Sequence, residues 1–258
     1  MGGYECEGYS SKEQFFTTYL QGSSRHISYD QFLSSHLPEK ARCLSIASGR
    51  SINELKLIQP GRDIICTDLD SICMAETLRL FPSFRFVKWN CMEDALLPES
   101  FDFVISLGFI TLLDADSLKH FLQRMNSQLT PGGTLLLDTA SSADSFFANL
   151  LHDYYLPIEA RCLLPFLNLY RRLKGRAALR VEFKHHGFRY TDDEIVAAAK
   201  NAGFTLENID YMDFENEWDR SLIYRHFLKR VPMLRGLFLQ LGKRMPYVRM
   251  FTFRSKRL

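Results

Sequence analysis

The stretch ARCLSIASGRSINELKLIQPGRDIICTDLD, from Ala41 to Asp70, constrains the fold more than any other part of the chain. A short apolar run ends in a turn of small residues, a helical pattern follows, and a second apolar run ends in an acid, Asp68, nineteen positions after Gly49. Two parallel strands joined by a crossover helix have this signature. The small residues Ala47, Ser48 and Gly49 let a ligand approach the backbone closely, and Asp68 at the next strand end can accept hydrogen bonds from both hydroxyls of a ribose.

The alternation continues along the chain. Strands are predicted over 43–47 and 64–67, near Phe86, at Phe103, Val104 and Ile105, over 134–138, in FTLENIDY from Phe204, and over 247–253. Helical patterns separate them at 71–80, 117–129, 192–202 and 219–229, with two more at 12–20 and from Ser28. Capping boxes, in which a hydroxyl and a carboxylate satisfy each other's backbone amides, are expected at Ser51-x-x-Glu54 and Thr191-x-x-Glu194. Near-continuous apolar strands need cover on both faces, so the predicted fold is α/β: a doubly wound, mostly parallel seven-stranded sheet with helices on both sides and a helical cap. At 258 residues a single domain over 1–258 is expected, with an N-terminal helical lid over 1–40 and an inserted cap over 141–190, its helices broken at Pro157 and Pro165.

Net charge is only +2, yet eleven Lys and Arg and no acid follow Asp219, leaving 21 basic against 30 acidic side chains before it. This asymmetry implies an anionic partner or a membrane surface for the C-terminal segment. No apolar run is long enough to span a bilayer, and MGGYECEGYSSKEQ lacks the features of a secretory signal, so a cytoplasmic protein without an integral membrane span is expected. The six cysteines stand singly and mostly in apolar segments, as reduced buried thiols do, with no metal-ligand spacing.

Four motifs in order resemble class I S-adenosylmethionine-dependent methyltransferases. The turn after the first strand resembles that family's motif I, an acid followed by x-G-x-G-x-G, with Ser45 at the acidic position, Ala47 and Ser51 at glycine positions, and Gly49 retained. Asn90 and Cys91, then Leu96, Leu97 and Pro98 and FDFV from Phe101, resemble the segment after strand three. LTPGGTLLLD and FRYTDDEIVAAAKNAGF resemble the family's later elements. The resemblance covers roughly 41–206 and implies a Rossmann-like enzyme that uses S-adenosyl-L-methionine (SAM) and releases S-adenosyl-L-homocysteine (SAH). Carried over by position, it implies cofactor contacts at Ala47, Ser48, Gly49, Asp68, Leu69, Asn90, Cys91 and Met92. Ser106 and Leu107, ending strand four with Gly108, would face the transferred methyl group. Arg25 is expected to pair with the methionine carboxylate, with Arg50 as the alternative, and Tyr19 and Tyr29 to line the lid.

Methyl transfer is an in-line displacement at a carbon already activated by a sulfonium, so alignment and exclusion of water are the enzyme's main tasks. A hydroxyl acceptor also benefits from a general base, for which His152 is the first candidate and His26 the second. Asp138 and Asp114 fall short of a metal-binding set, and no metal is expected. SLGF after strand four is unlike the N-P-P-Y type motif of base amino methyltransferases, and the segment lacks a nucleophilic cysteine, which argues against base methylation. The expected acceptor is therefore a small molecule, a glycan or a carrier-bound intermediate, methylated at O or N. Alternatives are an RNA-binding or RNA-modifying protein using its basic C-terminal segment, and a non-catalytic methyltransferase-like protein. A nicotinamide dehydrogenase is weaker because G-x-G-x-x-G is missing.

Overall fold

The computed structural model describes residues 24–49, 51–57, 62–139, 142–178, 187–212, 221–244 and 248–257, with the side chains at 24–28, 52, 72, 73, 76, 147, 152, 212 and 241–244 excepted. The expected helix at 12–20, Tyr19 and Arg50 lie outside the described residues, as do the side chains of Arg25, His26 and His152.

Seven strands form one sheet: β1 (Arg42–Ile46), β2 (Asp63–Asp68), β3 (Arg85–Lys88), β4 (Phe101–Ser106), β5 (Leu129–Asp138), β6 (Phe204–Met212) and β7 (Val248–Ser255). Their spatial order is β3-β2-β1-β4-β5-β7-β6. The first five pair in parallel, and β7 enters antiparallel between β5 and β6. The central strands are apolar on both faces because helices cover both: Leu44, Ile46, Val104 and Leu135 pack into one core, and Cys43, Ile64, Ile105 and Leu136 into the other.

Helices α1 (Ser24–His36), α2 (Ile52–Leu57) and α3 (Ser71–Leu80) cover one face, where Phe32, Leu33, Leu55 and Met74 are buried. Arg62 ties the ends of two of them together, donating to the carbonyls of Leu37 and Leu57. Helix α4 (Ala115–Gln128) covers the other face, and its buried Leu118, Phe121, Leu122 and Met125 follow helical spacing. Asp114 accepts from the Ser117 amide as the N-cap of α4, which holds its carboxyl below the ordinary range and accounts for the acid without a ligand.

The sequence TPGG, between the helix expected to Leu129 and the strand expected from Thr134, proves to be an excursion within β5. Leu129 already pairs with Phe101, pairing resumes at Thr134, and Gly132 takes φ +70° to let the chain bulge between them. After β5 a helical arm runs over 146–173. It comprises α5 (Phe146–Asn149), a π-turn at Leu150–Tyr155, α6 (Leu156–Ile158), a second π-turn at Glu159–Leu163, and α7 (Leu164–Leu173). Breaks were expected at Pro157 and Pro165. Instead the arm runs through both, because each proline sits in the first turn of an α-segment, where its missing amide costs little, and the preceding wide turn absorbs the change of register.

Helix α8 (Asp192–Asn201) starts with the predicted Thr191–Glu194 capping box, both hydrogen bonds present. The other expected box does not form. Ser51 has φ +55°, outside the extended conformation that an N-cap needs, and Glu54 bonds elsewhere. Between β6 and β7 the expected helix at 219–229 is a short α9 (Leu222–His226). A further helix, α10 (Pro232–Arg244), follows with Pro232 in its first position.

The basic C-terminal segment is partly satisfied from within. Arg249 pairs with Asp192 at 2.8 Å, and Arg254 forms a fork with Glu207 at 2.8 and 3.1 Å. Arg257 donates to the carbonyls of Asn126 and Ser127 at the end of α4. Two of these arginines are paired with acids and the third is held by carbonyls, so all three serve the fold.

Candidate functional site

The sheet order reverses at β1, whose neighbours are β2 and β4, and doubly wound folds bind ligands at the carboxyl edge beside such a reversal. A cleft of about 800 Å³ opens there. It gathers the turn after β1, the tip of β2, the loop after β3, and the segment from the end of β4 through the turn Ile110–Leu112.

The turn after β1 has an unusual backbone. Ala47, Gly49 and Ser51 all take positive φ, at 50°, 55° and 55°. These are the three positions where the motif I pattern carries glycine, so the conformation persists where two of the glycines do not. Local bonds hold it. The Ser48 amide donates to Thr67 O at 3.0 Å, the Ser51 amide to Ser48 O at 2.8 Å, and Ser51 Oγ to Ser48 Oγ at 2.8 Å. A Cβ added at Gly49 would meet nothing within 4 Å, so this turn faces open space.

Ser45 replaces the acid of the pattern, but a carboxylate reaches it from elsewhere. Ser45 Oγ donates to Glu54 Oε1 at 2.6 Å, with both side chains buried. Burial raises the Glu54 pKa, and the bond from Ser45 opposes that rise.

Asp68 is braced. Its Oδ2 accepts from the Gly49 amide and its Oδ1 from the Asp70 amide, each at 2.9 Å. A carboxylate offers about four acceptor directions, so two remain for a ligand. Across the cleft, Asn90 Oδ1 accepts from the Met92 amide at 3.0 Å and its amide nitrogen donates to Glu93 at 3.0 Å. Asn90 thus shapes its own turn, and the Met92 amide is already engaged. Arg124 of α4 donates to the carbonyls of Cys91 and Asp94 and pins this turn from behind. Burial pushes the Cys91 thiol up to about 11, so it is a neutral wall.

Of the predicted contacts, Ala47, Ser48, Gly49, Asp68, Leu69, Asn90, Cys91, Met92 and Leu107 line the cleft together. Ser106 does not; it is fully buried in β4 beneath the floor, because alternate residues of a strand face opposite ways. The structure adds Asn53, Asp70, Trp89, Glu93, Phe109 and Leu113 to the lining. Trp89 immediately precedes the predicted Asn90 and could have been found by extending that motif; Phe109 and Leu113 carry no local signal beyond their place after β4. The acids Asp68, Asp70 and Glu93 line the cleft, and among the described lining residues there is no Lys or Arg.

The floor beside β4 is set by Asp138. This fully buried carboxylate at the end of β5 accepts from the Gly108 amide and from the phenol of Tyr29. Tyr29, expected in the lid, is instead a buried part of the core. Among the described residues no three His, Cys, Asp or Glu side chains converge as metal ligands.

No family model matches this chain, and no curated protein matches its sequence. Solved structures do match the fold. A TehB-like SAM-dependent methyltransferase from Corynebacterium glutamicum is 16% identical with a TM-score of 0.55, covering 95% of this chain and 95% of its own. A SAM-dependent methyltransferase from Methanosarcina mazei is 14% identical with a TM-score of 0.55, covering 88% and 98%. Magnesium protoporphyrin IX methyltransferase from Synechocystis, solved with bound SAH, is 12% identical with a TM-score of 0.52, covering 96% and 90%. With its seven-stranded order, its antiparallel β7 and a cleft at the reversal point, this chain has the fold of the SAM-dependent methyltransferases.

Proposed function

We propose that the protein is a SAM-dependent methyltransferase acting at O or N of a small-molecule, glycan or carrier-bound acceptor. The charge of the cleft carries the reading. Acids line it with no Lys or Arg among the described lining residues, which suits a ligand bearing a sulfonium and a ribose and disfavours the pyrophosphate of a dinucleotide. The volume of about 800 Å³ suits a cofactor of this size.

Asp68 would hold the ribose hydroxyls through its two remaining acceptor directions. Leu69, Cys91 and Met92 would form the apolar wall against the base. Ala47, Ser48 and Gly49 would bring backbone close to the methionine portion, with Arg25 as its carboxylate partner. The bound cofactor supplies a methyl group activated by the sulfonium. The protein's part is alignment: Leu107 and Gly108, fixed by Asp138, leave room beside the methyl position, and Phe109, Leu112 and Leu113 exclude water from it. His152 would take the proton from a hydroxyl acceptor, with His26 as the alternative base. The segment 141–190 would serve as the acceptor-side cap.

Calorimetric titration of SAH into the protein and its Asp68→Ala variant, with NADH as control, tests this reading. Micromolar SAH binding that weakens about tenfold in the variant, near 1.4 kcal/mol, is the expected result. A protein that takes NADH and not SAH, or neither, overturns it.

A further inference from the structure

Helix α7 repeats the periodicity of α4 with the opposite outcome. Phe166, Leu169, Tyr170 and Leu173 stand at i, i+3, i+4 and i+7, yet they are 74%, 59%, 57% and 77% exposed, and no residue of this helix is buried. An amphipathic helix ordinarily turns such a stripe into a core. Here the stripe faces outward, on an arm that follows the carboxyl end of β5.

A second segment adjoins the arm. Glu159 Oε1 accepts from the Ile223 amide at 3.0 Å where α9 begins. Ala148, Leu151 and Leu156 of the arm share one core with Tyr224, Leu228 and Phe238. This neighbour also exposes apolar tips, with Phe227 at 62%, Met233 at 83% and Leu237 at 55%.

Both segments are positive. From Arg161 to Ala178 the sequence has five Lys and Arg and no acid, and from Ser221 to Arg244 six and none. The arm's own acids are masked: Asp153 is engaged by Arg189 at 2.8 Å, and Glu159 is buried.

We infer that the arm over 146–173 and the α9–α10 segment together form a docking surface for an anionic lipid bilayer, with the apolar tips entering the interface and the flanking cations meeting the headgroups. Exposed aromatic and aliphatic tips on segments that carry Lys and Arg and no exposed unpaired acid match a bilayer interface on both counts. A second copy of this chain fits poorly, because a two-fold contact through this face would set its cations against one another. A nucleic acid would satisfy the cations and leave the aliphatic tips uncovered. No helix among the described residues is long and apolar enough to cross a membrane, so the contact would be peripheral. The inference does not depend on the cofactor.

Flotation of the full chain with vesicles tests it, comparing phosphatidylcholine alone with phosphatidylcholine containing about a quarter phosphatidylserine. Strong flotation on the anionic vesicles alone, weakened by salt, is expected. Arg172→Gln with Arg176→Gln should reduce affinity roughly tenfold or more, and Phe166→Ser with Leu173→Ser should abolish flotation. All four sites are exposed, so the variants should keep the wild-type circular dichroism. The inference is overturned by absence of flotation, by flotation that both variants retain, or by a dimer in sedimentation that Phe166→Ser with Leu173→Ser dissociates. Retention of the protein by heparin with no preference for anionic over neutral vesicles overturns it equally.

Discussion

Tyr29 and Asp138, 109 positions apart in the chain, meet in a buried hydrogen bond in which the phenol donates to one carboxylate oxygen while the Gly108 amide donates to the other. One carboxylate thus joins the first described helix, the end of β5 and the cleft floor after β4. Tyr29→Phe leaves a buried acceptor one donor short, which costs about 1–3 kcal/mol. Urea unfolding should show an earlier midpoint at an unchanged slope. Tyr154→Phe, on an exposed ring, is the control and should leave the midpoint in place.

Ala47 holds a backbone conformation that costs an L-residue roughly 1–2 kcal/mol, and glycine adopts it freely at a smaller cost in unfolded-chain entropy. Ala47→Gly should therefore stabilise the protein by about 0.5–1 kcal/mol. Ala47→Val adds β-branching in the same region and should destabilise it by about 2 kcal/mol or more. Thermal unfolding of the three proteins decides this, and a destabilised glycine variant would remove the strain argument.

Glu54 gives stability a pH dependence of definite sign. Its native pKa is raised, chiefly by burial, so the native state binds a proton that the unfolded state has released. The favourable contribution is complete below the ordinary carboxyl range and is lost as pH rises through the native value. Glu54→Gln stays neutral at every pH and can still accept from Ser45. Its stability relative to wild type should therefore rise as pH increases from below the ordinary carboxyl range through the raised native value. Denaturant titrations at the two ends of that range measure the difference, and equal gaps at the two would count against a raised native value.

The order of strands and helices was legible because apolar runs, small-residue turns and the Thr191–Glu194 cap are all written in adjacent residues. The same local logic failed at Ser51–Glu54. The capping-box spacing is present, but the chain needs a positive φ at Ser51 for the turn, and Glu54 is drawn to Ser45 across the core. Ser106 stands apart from the cleft lining for a similar reason. A strand end shows which residues are near a site, and only the twist and pairing of β4 show which of them turns inward.

Helices α4 and α7 mark the boundary between the two kinds of information. Both carry four large apolar residues at the same helical spacing, and periodicity predicts an apolar face for each. Adjacent residues alone were enough to predict a mostly parallel sheet between covering helices and an acid, Asp68, at the end of the strand after the small-residue turn. Tertiary structure alone decided that α4 buries its face against the sheet while α7 leaves its own outside. The same packing lets Tyr29 and Gly108 share Asp138, and gives Arg249 and Arg254 acidic partners within the fold. The physical reason is that periodicity is a property of one segment, whereas burial and charge pairing depend on what distant segments bring to the other side.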